Sequence, residues 1–184
     1  MKNILSVILI CLLSGSLLSQ KYYTKEGRIS FHSDAPLEKI EAENNKASSV
    51  IDTENGNIQW AVLIKAFQFE KALMQEHFNE NYMESSKFPK SKFKGKILNI
   101  EDVSFTTDGS YPVSVSGQLD IHGVTNEIAC DAQIKVSGGN IKATCSFSVL
   151  VADYDIKIPA VVKDNIAKTV DIKIEAEYIL LDKS

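Results

Sequence analysis

The sequence predicts an all-β fold: an antiparallel sheet of about eight short strands, closed into a barrel or folded into a sandwich, with one short helix inserted. Three observations carry this. Residues 128–151 read as a hairpin about Gly138-Gly139, with Ile128, Cys130, Ala132, Ile134 and Val136 alternating with polar neighbours on the way in. On the way out the parity switches, so that Ile141, Ala143, Cys145, Phe147, Val149 and Val151 carry the apolar face. A two-residue turn at the glycines sets Val136 opposite Ile141, Ile134 opposite Ala143 and Ala132 opposite Cys145, and every apolar residue then shares one face. The second observation is residues 169–180, where Val170, Ile172, Ile174, Ala176 and Tyr178 alternate with polar residues. The third is that helical periodicity shows convincingly in one place alone. Closure into a barrel is the attractive form of such a sheet because it removes exposed edges.

Taken in order, residues 1–19 read as a secretory signal peptide: Lys2 is the positive flank, 4–13 is an apolar run too short to span a bilayer, and 14–19 is small and polar. Residues 20–184 then form a single domain, periplasmic or secreted. Residues 22–33 make an opening strand with Ile29 and Phe31 on one face, broken at Asp34-Ala35-Pro36. The polar stretch 38–46 reads as a loop. Strands 47–51 and 57–67 follow, joined across a turn-rich 52–57, and the second places Ile58, Trp60, Val62, Ile64 and Ala66 on one face.

At Phe69 the period changes. Phe69, Leu73, Met74, His77, Phe78 and Tyr82 recur at spacings that put them on one side of a short helix, ended by Phe88-Pro89. Strand 92–100 has Phe93, Gly95 and Ile97 facing in and Lys92, Lys94 and Lys96 facing out. After the Asp108-Gly109 turn, Val113, Val115, Gly117, Leu119 and Ile121 form another inward row.

Composition narrows the function. The 24 acidic residues exceed the 20 basic ones, of which Lys2 lies in the leader, so the mature chain is mildly acidic and gives no encouragement to nucleic-acid binding. No segment after the leader is long and apolar enough for a transmembrane helix. About 165 residues bury roughly two-thirds of their unfolded surface, enough for one core or one barrel. His32, His77 and His122 lie far apart without cysteine or carboxylate at ligand spacing, so no metal site is read, and neither a nucleophile motif nor a phosphate loop is present. The lysine run Lys87, Lys90, Lys92, Lys94 and Lys96 reads as a solvated outer face; contact with a phosphate headgroup is the alternative. Cys130 and Cys145 fall diagonally across the hairpin, about 7 Å apart between α-carbons, at the edge of what a disulfide spans; free thiols are favoured over a bridge.

The cluster His77-Phe78-Asn79-Glu80-Asn81-Tyr82-Met83-Glu84-Ser85, then Phe88-Pro89 and Phe93-Lys94-Gly95, then Gly117-Gln118-Leu119-Asp120-Ile121-His122-Gly123-Val124-Thr125, resembles the YceI-like family of lipid- and polyisoprenoid-binding proteins. The resemblance extends over roughly 27–178. It implies an extended, lipocalin-like antiparallel barrel, exported, whose interior holds the tail of a polyisoprenoid, quinone-like or fatty ligand, with no catalytic residue and no cofactor. Strand parity then gives Trp60, Val62, Phe93, Leu119, Ile134, Phe147, Ile172 and Tyr178 as the lining. Small inward residues, namely Ala66, Gly95, Gly117, Ala132, Ala143 and Ala176, leave room, and the helix caps or flanks an opening. A hydrophobic small molecule is the expected partner, and a homodimer is compatible with the sequence. The alternatives are an envelope stress-response or interaction protein whose barrel is filled by its own side chains, and an enzyme acting on a lipid-like substrate, for which the sequence offers no catalytic group.

Overall fold

The computed structural model describes residues 20–181, so the leader read at 1–19 lies outside the described residues. Eight strands close a barrel: β1 (Lys21–Asp34), β2 (Lys39–Asp52), β3 (Asn57–Leu63), β5 (Lys90–Ile97), β6 (Gly109–Ile121), β7 (Val124–Ser137), β8 (Asn140–Leu150) and β9 (Thr169–Leu180). All pairings are antiparallel; the order runs β1-β9-β8-β7-β6-β5-β3-β2, and β1 pairing with β2 completes the ring. A two-residue strand, β4 (Gln68–Phe69), adds to β2 at Glu43 and Ala42. The all-β barrel expected from the alternation is therefore the observed fold.

The β7–β8 hairpin has the register that the glycine turn demands, Val136 opposite Ile141, Ile134 opposite Ala143 and Ala132 opposite Cys145. Gly138 and Gly139 both take positive φ, 55° and 81°, the backbone of a turn that matches strand twist. His122-Gly123 repeats this between β6 and β7 with φ of 54° and 77°.

Three strand segments differ from expectation. The polar stretch 38–46 is the first half of β2. Its inward positions are Ala42, Asn44, Ala47, Ser49 and Ile51, and the one-residue slip between Asn44 and Ala47 is a bulge against β1. Asn44 is fully buried because its amide donates to the Leu63 carbonyl at 2.9 Å and its oxygen accepts from the Lys46 amide at 2.8 Å. A polar inward residue and a bulge together erase the hydrophobic alternation. Strand 57–67 stops at Leu63, where its ladder to β5 ends at Lys90, and a tight turn at Ile64–Ala66 carries the chain over to β2. Likewise β5 ends at Ile97, and its tail turns at Ile100–Asp102.

The helix is shorter than 69–82. Regular α-helix, α1, covers Ala72–His77, and a wider π turn continues over Phe78–Tyr82. Leu73 is 60% exposed and so does not belong to the buried face. The anchor is Phe78, whose ring sits 5.4, 5.7 and 5.0 Å from those of Phe31, Phe67 and Phe69.

The antiparallel order sorts the interior into two halves. At the end of the barrel holding the Gly138-Gly139 turn, Ile51, Ile97, Val113, Val136 and Ile141 are all buried, and Tyr22 stacks on Phe105 at 5.6 Å. This is a packed floor. The opposite end, where β1 meets β2 and β6 meets β7, is roofed by three segments: the β1–β2 turn, the helical segment and the connection 151–168. Their ties are specific. The Leu37 amide donates to the Asp164 carbonyl at 3.0 Å, Ser33 accepts from the Ala167 amide at 2.9 Å, and Glu38 pairs with Lys71 at 3.5 Å.

Candidate functional site

Between floor and roof lies a cavity of about 370 Å³ with a wall that is almost wholly apolar. That volume falls within the range of small-molecule sites. Of the residues that parity assigns to a lining, Trp60, Val62, Phe93, Leu119, Phe147, Ile172 and Tyr178 face it, drawn together from five strands. Ile134 does not: it is 1% exposed and packed into the core cluster, one inward step too close to the floor.

The small inward residues divide. Ala132 and Ala143 front the cavity, but Ala66, Gly95, Gly117 and Ala176 do not. Ala176 is core. Gly95 and Gly117 pair directly across β5 and β6, and a Cβ on Gly117 would sit 2.3 Å from the Gly95 α-carbon and 2.5 Å from the Lys94 carbonyl oxygen. A Cβ on Gly95 would meet the Phe93 ring at 2.4 Å. These glycines therefore allow close approach of two strands and an aromatic ring laid over the backbone; they open no space.

Trp60 and Tyr178 line the inner part of the cavity. Trp60 packs over Gly27, where a Cβ would lie 2.7 Å from its ring, and meets Tyr178 edge-on at 6.5 Å. The Tyr178 hydroxyl shares a hydrogen bond of 2.7 Å with Ser49 Oγ, and both residues are buried. Burial pushes the Tyr178 phenol above its ordinary value of 10.0, while the Ser49 bond pulls the other way. A phenol that resists ionisation in the fold but ionises freely when unfolded adds stability below about pH 10, lost as pH rises through the folded value. We expect Tyr178→Phe to cost about 1 to 2 kcal/mol near neutral pH, because the Ser49 hydroxyl is left without a partner. In urea titrations the gap to the wild type should narrow above about pH 10; a gap that stays constant across that range contradicts this account.

Sequence reasoning places the helix at an opening, as found, but misses the rest of the roof. Ile156, Ile158, Val162 and Ile166 line the cavity from the connection after β8, a segment with no regular alternation beyond Ile156-Lys157-Ile158 before Pro159. Phe31 and Ile40 line it from β1 and β2, and Met74, His77, Phe78 and Tyr82 from the helical segment. At this end Glu38, Asn165 and His77 stand at the margin and Asn165 reaches Glu38 at 3.4 Å, while Thr144 lies midway along the wall and Tyr178 deeper. Lys90, Lys92, Lys94 and Lys96 are exposed, as expected of an outward row, and of these Lys92 reaches the cavity's margin.

The histidines serve separate contacts. His32 lies 3.2 Å from Glu41 across the strand pair. His122 reaches distant backbone: its Nδ1 donates to the Tyr154 carbonyl at 3.1 Å, its Nε2 faces Glu84 at 3.1 Å, and Phe88 meets its ring edge-on at 4.6 Å. This seats the turn Val151–Tyr154 against the start of β7. Among the described residues no group of three or more His, Cys, Asp or Glu is placed to hold a metal, and no helix is long and apolar enough to cross a membrane.

Solved structures share this architecture. A polyisoprenoid-binding domain from Saccharophagus degradans, described as implicated in plant cell wall breakdown, superposes with a TM-score of 0.76 at 15% identity, covering 87% of this chain and 98% of that one. BcnA of Burkholderia cenocepacia gives 0.67 at 14%, with 83% and 96% covered. The Campylobacter jejuni YCEI protein gives 0.53 at 17%, with 77% and 85% covered. At these identities the likeness is one of fold. Among curated proteins none matches the sequence. The family model for the YceI-like domain matches residues 22–178, nearly the whole described barrel, and the chain belongs to the YceI-like family.

Proposed function

We propose that this protein is an exported binding module that holds a polyisoprenoid or similar amphiphile, quinone-like or fatty, with the tail in the cavity and the polar end at the roof. The observation that carries this is the cavity itself: almost wholly apolar along its wall, closed at the floor, with Glu38, His77, Lys92 and Asn165 at the opposite margin. That is the polarity profile of an amphiphile. Tail burial supplies the driving force, about 0.8 kcal/mol per enclosed methylene. The leader read at 1–19 supports a periplasmic or secreted location.

Native mass spectrometry of gently purified protein tests the reading. A stoichiometric apolar adduct, and thermal stabilisation of lipid-stripped protein by a short-chain quinone or a polyprenyl alcohol, are the expected results. Ala132→Phe puts a ring into the cavity without touching the packed floor, and we expect at least tenfold weaker binding, about 1.4 kcal/mol, with the melting temperature of the empty protein little changed. Wild-type protein that carries no adduct and gains no stability from either ligand would overturn the proposal.

A further inference from the structure

Two sulfurs stand where the barrel wall divides. The β7–β8 ladder runs from Ser137 and Asn140 as far as Ala132 and Cys145 and stops. Beyond it, toward the roof, β7 continues paired to β6 and β8 continues paired to β9, so the two strands part. Cys145 is the last residue of the shared ladder on β8, and Cys130 is the next inward residue on β7. Both are free thiols, both front the cavity, and their Sγ atoms lie 3.0 Å apart. A disulfide needs about 2.05 Å, so closure requires a movement of only about 1 Å. The strand directions already aim both Cβ atoms to the same side of the sheet.

The two thiols are not equivalent. With Cys145 S–H donating to the Cys130 sulfur, Cys130 is held below the ordinary thiol range, whereas the same bond, with burial, pushes Cys145 up. Cys130 also stands beyond the end of the β7–β8 ladder, nearer the roof, whereas Cys145 is held within it, which suits the first to attack an entering disulfide and the second to resolve it.

We propose that Cys130 and Cys145 form a two-electron redox site in the cavity wall, in which Cys130 attacks a small apolar disulfide that enters the cavity and Cys145 resolves it, leaving a disulfide bond between β7 and β8. In the first step the Cys130 thiolate bonds to one sulfur of the reagent, whose S–S bond breaks and releases one thiolate. In the second the Cys145 thiol gives its proton to that thiolate or to water and attacks Cys130, expelling the second thiolate. The protein loses two electrons and two protons, and the reagent is reduced to two thiols. The product bond ties the strands at the point where their hydrogen bonding ends. The pairing rests on the 3.0 Å separation of the sulfurs and not on the proposed ligand, and the reagent enters the cavity when no lipid fills it.

The test treats the folded full-length chain with excess 4,4′-dithiodipyridine, a small neutral disulfide, and maps the peptides so that Cys11 is scored separately. The expected result is a single cross-linked species joining Cys130 to Cys145, lighter by two hydrogen atoms and free of thiopyridine. Stable thiopyridine adducts on both residues, or two unmodified thiols, would overturn the proposal. Cys145→Ser should trap a stable adduct on Cys130, whereas Cys130→Ser should leave Cys145 reacting at least tenfold more slowly. Equal rates in the two variants overturn the roles assigned to the sulfurs.

Discussion

Gly117→Ala is expected to destabilise the barrel by about 3 kcal/mol, the upper part of the range for inserting atoms into a filled interior. The added methyl has nowhere to go. It would lie 2.3 Å from the α-carbon of Gly95 and 2.5 Å from the carbonyl oxygen of Lys94, and both obstacles are backbone. A side chain in the way can rotate, but β5 can withdraw only by breaking ladder contacts with β6, in which Phe93 pairs with Leu119 and Ile97 with Val115. Since Phe93 and Leu119 also face the cavity, a displaced β5 should change the cavity shape as well as the stability. Urea denaturation measures the first effect as a lower midpoint at unchanged slope. Glycine to alanine at Gly138, where nothing lies within 4 Å of the added atom, serves as the comparison: its cost is the strain of positive φ alone. Equal losses at the two positions would show that the close approach of β5 and β6 contributes nothing special.

How far such features could be read in advance depends on whether a single rule governed them. The β7–β8 register follows from alternation and turn chemistry pointing to one answer, and β9 follows from alternation unbroken from Val170 to Tyr178. In β2 the rules conflict, because Asn44 and Ser49 face inward, satisfied by partners 19 and 129 residues away in sequence. Hydropathy cannot register a partner so distant. The cavity shows the same limit. Strand parity tells which face of a residue is inward but not how deep along the barrel it sits, which is why Ile134 was assigned to a lining and is found in the floor. Depth is set by strand stagger, a property of the whole ring. The glycines of β5 and β6 were misjudged for a related reason: an absent side chain leaves space only if nothing else moves into it, and Phe93 does. Ile156, Ile158, Val162 and Ile166 escaped notice because irregular backbone has no period to detect.

Phe78→Ala should release the roof. Phe78 touches Phe31 on β1, Phe67 after β3 and Phe69 on β4, with centroids 5.4, 5.7 and 5.0 Å away, so it joins the helical segment to three parts of the wall. Besides this ring, the buried Met83 and the Lys71–Glu38 pair hold the segment. Its α-helical part is six residues, far below the length that is stable by itself, and none of those residues is buried. Removing a buried aromatic ring costs about 3 to 5 kcal/mol, and because Phe78 is only partly buried we expect a global loss of about 2 to 3 kcal/mol. The local effect should be larger. Amides of 72–83, including Met83, which donates to the Phe78 carbonyl at 2.8 Å, should lose hydrogen-exchange protection well before those of β7 and β9. Met74, His77 and Tyr82 line the cavity from this same segment, so a bound amphiphile should dissociate faster from the variant than from the wild type. Phe78→Leu separates the contributions: it keeps much of the apolar volume but not the ring geometry, and should recover most of the stability. If exchange in 72–83 is unchanged in Phe78→Ala, the helical segment is held by its polar ties to the β1–β2 turn, with Lys71 to Glu38 foremost, and the aromatic cluster is not its anchor.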